Sequence, residues 1–231
     1  MKKKLQAGLI IIMIILTTNA FSQSNETKSR EIKNSKKTAN TYLDLMVNVV
    51  STNLNYGSSN SALSDYKKSN NGIQAGASFQ AGITPGFSLV SELYFMRKGG
   101  KLKANNPLTN NESTIRLNTL ELPVLARFHV GKFYMNAGPS IAYNISGNSE
   151  IDDLSTKLSF ENSGQGYKRF DAGVQMGGGF EFPFKQRRIA LDIRYNYGLT
   201  NLVYSKEMYN RTLMISVHFS KPWKSNPLGR K

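Results

Sequence analysis

The chain has 231 residues, a mass of 25.8 kDa and a formal net charge of +15 at pH 7. That length suits a single barrel or sandwich domain. It contains no cysteine, which excludes a disulfide framework, a thiol nucleophile, a thiolate metal site and a lipidated cysteine.

The chain opens with "MKKKLQAGLIIIMIILTTNAFSQ". Lys2, Lys3 and Lys4 precede an apolar run from Ala7 to Leu16, and small and polar residues follow. This is the pattern of a secretory signal peptide over residues 1–22. The run is too short for a spanning helix, which needs roughly 20 apolar residues. Cleavage after Ala20 and after Ser22 both fit. Loss of the three signal lysines leaves +12 on the mature chain. On an exported protein that charge favours anionic lipid and gives no reason to expect nucleic acid. Residues 23–40 are polar, basic and aperiodic and read as a flexible linker.

From residue 41 to 220 the period changes to two, the signature of β-strands with one apolar face. Eight strands are predicted. The first presents Leu43, Leu45, Val47 and Val49. The second alternates Ile73, Ala75, Ala77, Phe79, Ala81 and Ile83 with Gln74, Gly76, Ser78, Gln80 and Gly82. The third sets Phe87, Leu89, Leu93 and Phe95 against Ser88, Glu92 and Lys98. The fourth, from about Ile115 to Phe128, contains "ELPVLARF", with Leu122, Val124, Ala126 and Phe128 on one face and Glu121 and Arg127 on the other. The fifth carries Phe133, Met135, Ala137, Ile141, Tyr143 and Ile145. The sixth sets Phe170, Ala172, Val174, Met176, Phe180 and Phe182 against Asp171, Gln175 and Glu181. The seventh sets Ile189, Leu191, Ile193, Tyr195 and Tyr197 against Asp192, Arg194 and Asn196. The eighth sets Leu213, Ile215, Val217 and Phe219 against Thr212, Ser216 and His218. Residues 221–231 form a basic tail.

Connections after the second, fourth and sixth strands are short. Those after the first, third, fifth and seventh are long and polar, the asymmetry of an outer-membrane barrel. The aromatic residues of the apolar face sort to two levels. Phe87, Phe128, Phe133, Phe180, Phe182 and Phe219 fall at the tight-turn end, and Phe95, Tyr143, Tyr195 and Tyr197 toward the loops. Two aromatic girdles around an aliphatic band mark a lipid-facing surface. The expected fold is therefore an all-β, eight-stranded antiparallel up-and-down transmembrane barrel. Its other face must fill a narrow lumen. There Glu92, Glu121, Arg127, Asp171, Glu181, Asp192 and Arg194 are expected to pair into a polar network that plugs it, since unpaired charge in a low-dielectric interior is costly. Gly76, Gly82, Gly138, Gly173, Gly177 and Gly179 would make room for the long side chains.

Five stretches, "FSLVSELYFMRKGGK", "LNTLELPVLARF", "FYMNAGPSIAY", "FDAGVQMGGGFEF" and "LDIRYNYGLTNL", together resemble the small outer-membrane β-barrel family of Bacteroidetes, which includes the secretion and gliding protein PorT and many porin-like proteins. The resemblance covers roughly residues 42–219. It implies a barrel in the outer membrane, reached by export, without a shared catalytic motif. The implied partners are outer-membrane lipid, lipopolysaccharide, and secretion-machinery or envelope proteins.

Candidate chemistry is sparse. His129 is placed at a turn, and His218 faces the lumen beside Ser216 on one strand. Neither histidine has a second at ligand spacing, so no metal site is expected, nor any cofactor. A non-enzymatic barrel is the leading expectation, with a lipid-modifying barrel enzyme or a small-solute pore as alternatives. Two prolines interrupt the pattern. Pro139 is expected opposite Leu122 or Val124, so Pro123 and Pro139 should break the same patch of ladder with a bulge or widened pairing.

Overall fold

The computed structural model describes residues 41–152, 154–184 and 187–220. The expected signal peptide, linker and basic tail lie outside the described residues. Among the described residues there are ten strands: β1 (Tyr42–Tyr56), β2 (Lys67–Lys68), β3 (Asn70–Thr84), β4 (Phe87–Leu102), β5 (Ser113–Val130), β6 (Phe133–Ile151), β7 (Leu154–Lys157), β8 (Phe170–Phe184), β9 (Arg187–Gly198) and β10 (Met208–Ser220). A short 3-10 helix spans Ser58–Tyr66. Among the described residues, no helix is long and apolar enough to cross a membrane.

Eight of the strands close a barrel in which every pairing is antiparallel. The order is β4-β3-β1-β10-β9-β8-β6-β5, and β5 returns to β4. First and last strands meet in a ladder from Asp44↔Ser220 to Tyr56↔Met208. The short strands β2 and β7 extend the sheet only at the loop end, on β4 and β6.

The period-two pattern decides which face turns out. β-branched and aromatic residues suit a pleated surface with one apolar side. Here that side is the outside: Leu45 is 72% exposed and Ile73 76%, while their neighbours Asp44 and Gln74 are buried. The expected aromatic residues lie on this outer face. Phe87 meets Phe128 in a tilted contact at 5.0 Å, and Phe133 meets Phe180 edge-on at 5.0 Å, near the tight turns. Phe182 lies 5.9 Å from Phe180, and Phe219 is exposed. Toward the loops, Tyr143 meets Phe170 at 5.2 Å, and Phe95, Tyr195 and Tyr197 are exposed.

Several strands run further than their periodicity suggests. β4 reaches Leu102, β5 begins at Ser113 and β6 ends at Ile151. The long connections are also less irregular than their composition implies, since they hold the 3-10 helix, β2 and β7.

The proline expectation needs correcting. Pro139 does lie at the register of Val124, and the β5–β6 pairing is interrupted between Pro123↔Ser140 and Ala126↔Ala137. Pro123 itself is paired there. Its missing donor instead opens a gap in the β4–β5 ladder, between Ser91↔Val124 and Tyr94↔Glu121. Each proline thus breaks a different ladder. Register is unchanged across both gaps, and the bulge in β5–β6 sits at Asn118/Thr119. A side chain on Gly138 would collide with the Val124 carbonyl, so the strands approach closely at the proline patch instead of widening.

Candidate functional site

The candidate site is the barrel interior. Alternation turns one side chain in two inward, and the inward set is crowded with ionisable groups. They form three tiers, the first two joined through Gln80, Arg127 and His218.

The tier nearest the tight turns centres on Arg188. Its guanidinium donates to Asp44 Oδ2 at 2.6 Å, to Glu181 Oε2 at 2.7 Å and to Ser220 Oγ at 3.1 Å. The ring of Tyr42 lies 3.9 Å from its Cζ. Gln80 Oε1 accepts from Arg188 and, at 3.0 Å, from Arg127. His129 belongs to this mouth and not to a turn, because β5 continues to Val130 and turns the imidazole inward. Its Nε2 is 3.1 Å from Ser88 Oγ, and its Nδ1 is 3.7 Å from Glu181.

The middle tier crosses the lumen. Arg194 Nη1 donates to Glu92 Oε2 at 2.7 Å, its Nε to Asp192 Oδ1 at 3.2 Å and its Nη2 to Ser216 Oγ at 3.4 Å. Glu92 is on β4 and Arg194 on β9, four strands apart whichever way the barrel is followed. Their ion pair therefore lies across the full diameter, and neither side chain has any exposed surface. Asp192 Oδ2 also accepts from the Tyr134 hydroxyl at 3.2 Å, faces His218 Nε2 at 3.4 Å and lies 3.8 Å from Arg127 Nη2. Tyr134 supports the Arg127 guanidinium from 4.1 Å.

The third tier is built on Lys98. Its Nζ is 2.6 Å from Glu121 Oε2 and 3.5 Å from Asp171 Oδ2. Glu121 Oε1 accepts from Gln175 at 2.9 Å and Asn196 at 2.7 Å. Asp171 accepts from Thr200 at 2.8 Å and Asn210 at 2.7 Å. Gln175 also reaches the Tyr94 hydroxyl at 2.6 Å.

All seven residues expected in the network face the lumen. Glu92, Arg127, Asp192 and Arg194 meet in the middle tier, Glu121 and Asp171 share the third, and Glu181 stands at the mouth. Sequence reasoning placed Lys98 on this face but gave it no partner, and it missed Arg188, which pairs with Asp44 of β1. The alternation Arg188, Ala190, Asp192, Arg194 carries the signal, one residue before Ile189, where the sequence predicts the seventh strand to begin. Three of the expected glycines make room for long side chains. A Cβ on Gly177 would collide with Arg194, one on Gly179 with Tyr134 and one on Gly76 with Tyr94.

Arg127 is the most weakly held of the buried cations. Its Nε and Nη2 lack hydrogen-bond acceptors among the described residues. Replacement by methionine should cost about 1–3 kcal/mol, the range for losing one charged hydrogen bond and leaving its acceptor behind. Chemical unfolding in detergent micelles reads this directly, and an unchanged midpoint would remove Arg127 from the network.

Above the third tier the interior becomes apolar. Leu54, Tyr56, Leu102, Leu117 and Met208 of the strands pack with Leu63 of the 3-10 helix and with Leu202 and Val203 of the β9–β10 connection, all buried. The loops thus fold over the mouth, which their polar composition concealed. Tyr167, packed against this cap, has its phenol pushed up to about 12 by burial. Glu207 fastens the cap: it accepts from Ser58 Oγ at 3.0 Å, and that bond holds its carboxyl below the usual range. No group of histidine, cysteine and acidic side chains able to hold a metal occurs among the described residues.

A family model described as "Outer membrane protein beta-barrel domain" matches residues 21–204. No curated protein matches the sequence. Among solved structures, OprG of Pseudomonas aeruginosa is similar over 84% of this chain and all of its own, at 12% identity and a TM-score of 0.47. Ail, the attachment invasion locus protein of Yersinia pestis, is similar over 79% of this chain and 99% of its own, at 10% identity and a TM-score of 0.43. Neisserial surface protein A is similar over 78% of this chain and 97% of its own, at 11% identity and a TM-score of 0.45. The outward apolar belt, the inward charges and the match over residues 21–204 agree: the chain belongs to the outer membrane protein beta-barrel domain family and resides in the outer membrane.

Proposed function

We propose that this is a non-enzymatic barrel with a sealed lumen that acts through its loop-end surface and through protein partners. The resemblance to PorT-like proteins makes secretion or gliding machinery, or envelope integrity, the setting that fits best. Outer-membrane lipid and lipopolysaccharide are its immediate surroundings.

One observation carries the reading. The Glu92–Arg194 pair lies across the diameter with neither side chain exposed, between Arg188 on one side and the Lys98 tier and apolar cap on the other. Conduction would require breaking buried ion pairs, a step of several kcal/mol. Planar-bilayer recordings of the purified full chain should show no steady open state. A sustained, large single-channel conductance would overturn the sealed lumen and favour the small-solute pore.

The arrangement gives the enzyme alternative little support. His218 lies between Asp192 and Asp44, and the Ser216 hydroxyl is taken by Arg194. Ser88, His129 and Glu181 do line up as hydroxyl, imidazole and carboxylate. Yet Glu181 Oε2 is bonded to Arg188, and Ser88 is only 3% exposed and hydrogen-bonded to Gln80.

A further inference from the structure

Inside the barrel every arginine and lysine faces a carboxylate. Outside, at the loop-end rim, Arg97, Arg169 and Arg211 do not, among the described residues. Arg169 immediately precedes Phe170 of the upper aromatic girdle, and Arg211 is the direct cross-strand neighbour of Tyr197 in the same girdle. Aromatic girdles settle at the level of the lipid headgroups, so both arginines stand at that depth or just beyond it.

Both are also fixed in place. Arg169 Nη1 donates to the carbonyls of Asn144 and Ile145, each at 3.1 Å, and its guanidinium lies 4.5 Å from the Phe160 ring and 5.8 Å from that of Tyr143. Arg211 Nη1 donates to the carbonyls of Gly198 at 2.7 Å and Asn210 at 2.9 Å, and its Cζ lies 3.5 Å from the Tyr197 ring centre. Each thus uses one nitrogen on backbone carbonyls and lies near two aromatic rings, the second ring at Arg211 being Tyr209 at 5.8 Å. Nε and Nη2 are left without a protein acceptor, and neither arginine has a carboxylate partner, among the described residues. By contrast, the rim bases Lys68 and Lys101 are paired with Glu112, and Arg116 with Glu150.

A guanidinium held by carbonyls and an aromatic ring has already lost most of its rotamer freedom. The free edge is a planar fork of N–H donors, which matches phosphate bidentately. Arg97, exposed and outward-facing on β4, lies three strands away from both β8 and β10 and is not part of this edge. We infer that Arg169 and Arg211 form a binding edge for the phosphate groups of a phosphorylated glycolipid in the outer leaflet. This deepens the lipid-partner part of the proposed function and rests on it.

The test uses the purified full chain in neutral-detergent micelles, titrated with bisphosphorylated lipid A, its dephosphorylated form and inorganic phosphate. The unfolding midpoint and the apparent Kd are read together. Wild type should bind the bisphosphorylated lipid best, and more weakly as salt rises. The Arg169→Gln/Arg211→Gln variant should bind it roughly tenfold or more weakly, given the attraction each cation near a membrane surface provides. If the double variant does not refold, the single variants Arg169→Gln and Arg211→Gln should each weaken binding roughly threefold or more. Lys68→Gln, which removes a rim charge already paired with Glu112, should change it little. Equal binding of the dephosphorylated lipid, full competition by inorganic phosphate, or unchanged affinity in the arginine variants would each overturn the site. None of these results bears on conductance, so the site can fail while the sealed barrel stands.

Discussion

Replacing Arg194 with methionine should lower the unfolding free energy of the micelle-embedded barrel by about 3–5 kcal/mol, the cost of removing one partner from a buried ion pair. Arg194 is wholly buried and is the only cation paired with Glu92 among the described residues. Its loss strands a carboxylate at the centre of the lumen. Asp192 suffers less, because His218, Tyr134 and Arg127 still surround it. The variant Arg194→Met/Glu92→Gln should therefore recover a large part of the loss, since most of the penalty is the orphaned charge on Glu92 and not the missing attraction. Denaturant titrations followed by circular dichroism, with the four proteins of the double-mutant cycle, measure the coupling. Additive losses would show that the two residues do not act as a pair.

Lys98→Met should cost a comparable amount, about 3–5 kcal/mol. Here one cation stands between two carboxylates, Glu121 at 2.6 Å and Asp171 at 3.5 Å. Both acids keep neutral donors after the substitution: Gln175 and Asn196 for Glu121, Thr200 and Asn210 for Asp171. Those bonds limit the damage but leave two like charges facing each other without a counterion. Adding Glu121→Gln to Lys98→Met removes that repulsion and should restore part of the midpoint. A Lys98→Met barrel as stable as wild type would mean that the third tier contributes nothing to holding the lumen together.

The division between what the sequence discloses and what it conceals follows from physics. Alternation is a local property, so runs such as Ile73 to Ile83 and Ile189 to Tyr197 reveal both strand and face. Sorting of aromatic residues to two levels needs only strand positions, so the girdles were readable too. Pairing across the lumen depends on strand order and stagger. Glu92 and Arg194 could be put on one face, but nothing local tells which acid Lys98 meets or that Asp44 reaches Arg188 two strands away. The cap was hidden for a different reason. Leu63, Leu202 and Val203 are single apolar residues inside polar loops, and isolated apolar residues carry no period. His129 was misplaced because one more residue of strand turned it from a loop side chain into a lumenal one. The two prolines were correctly seen as costs, but which neighbouring ladder loses a donor depends on the direction each N–H would have taken.

The cross-lumen ion pairs also bear on how the barrel chooses its alignment. Sliding one strand past its neighbour by a single residue would turn its apolar face inward, so hydrophobicity alone forbids it. Sliding by two leaves every lipid-facing residue facing lipid, so the alternation of faces alone cannot tell the two states apart. The charges can. Asp44 of β1 meets Arg188 of β9, Glu92 of β4 meets Arg194 of β9, and Lys98 of β4 meets Asp171 of β8. A two-residue slip of β4 or β9 would pull these partners apart and leave unmatched charge in the interior. The lumen therefore works as a combination lock on strand stagger, with β9 read against strands on two sides of the barrel at once.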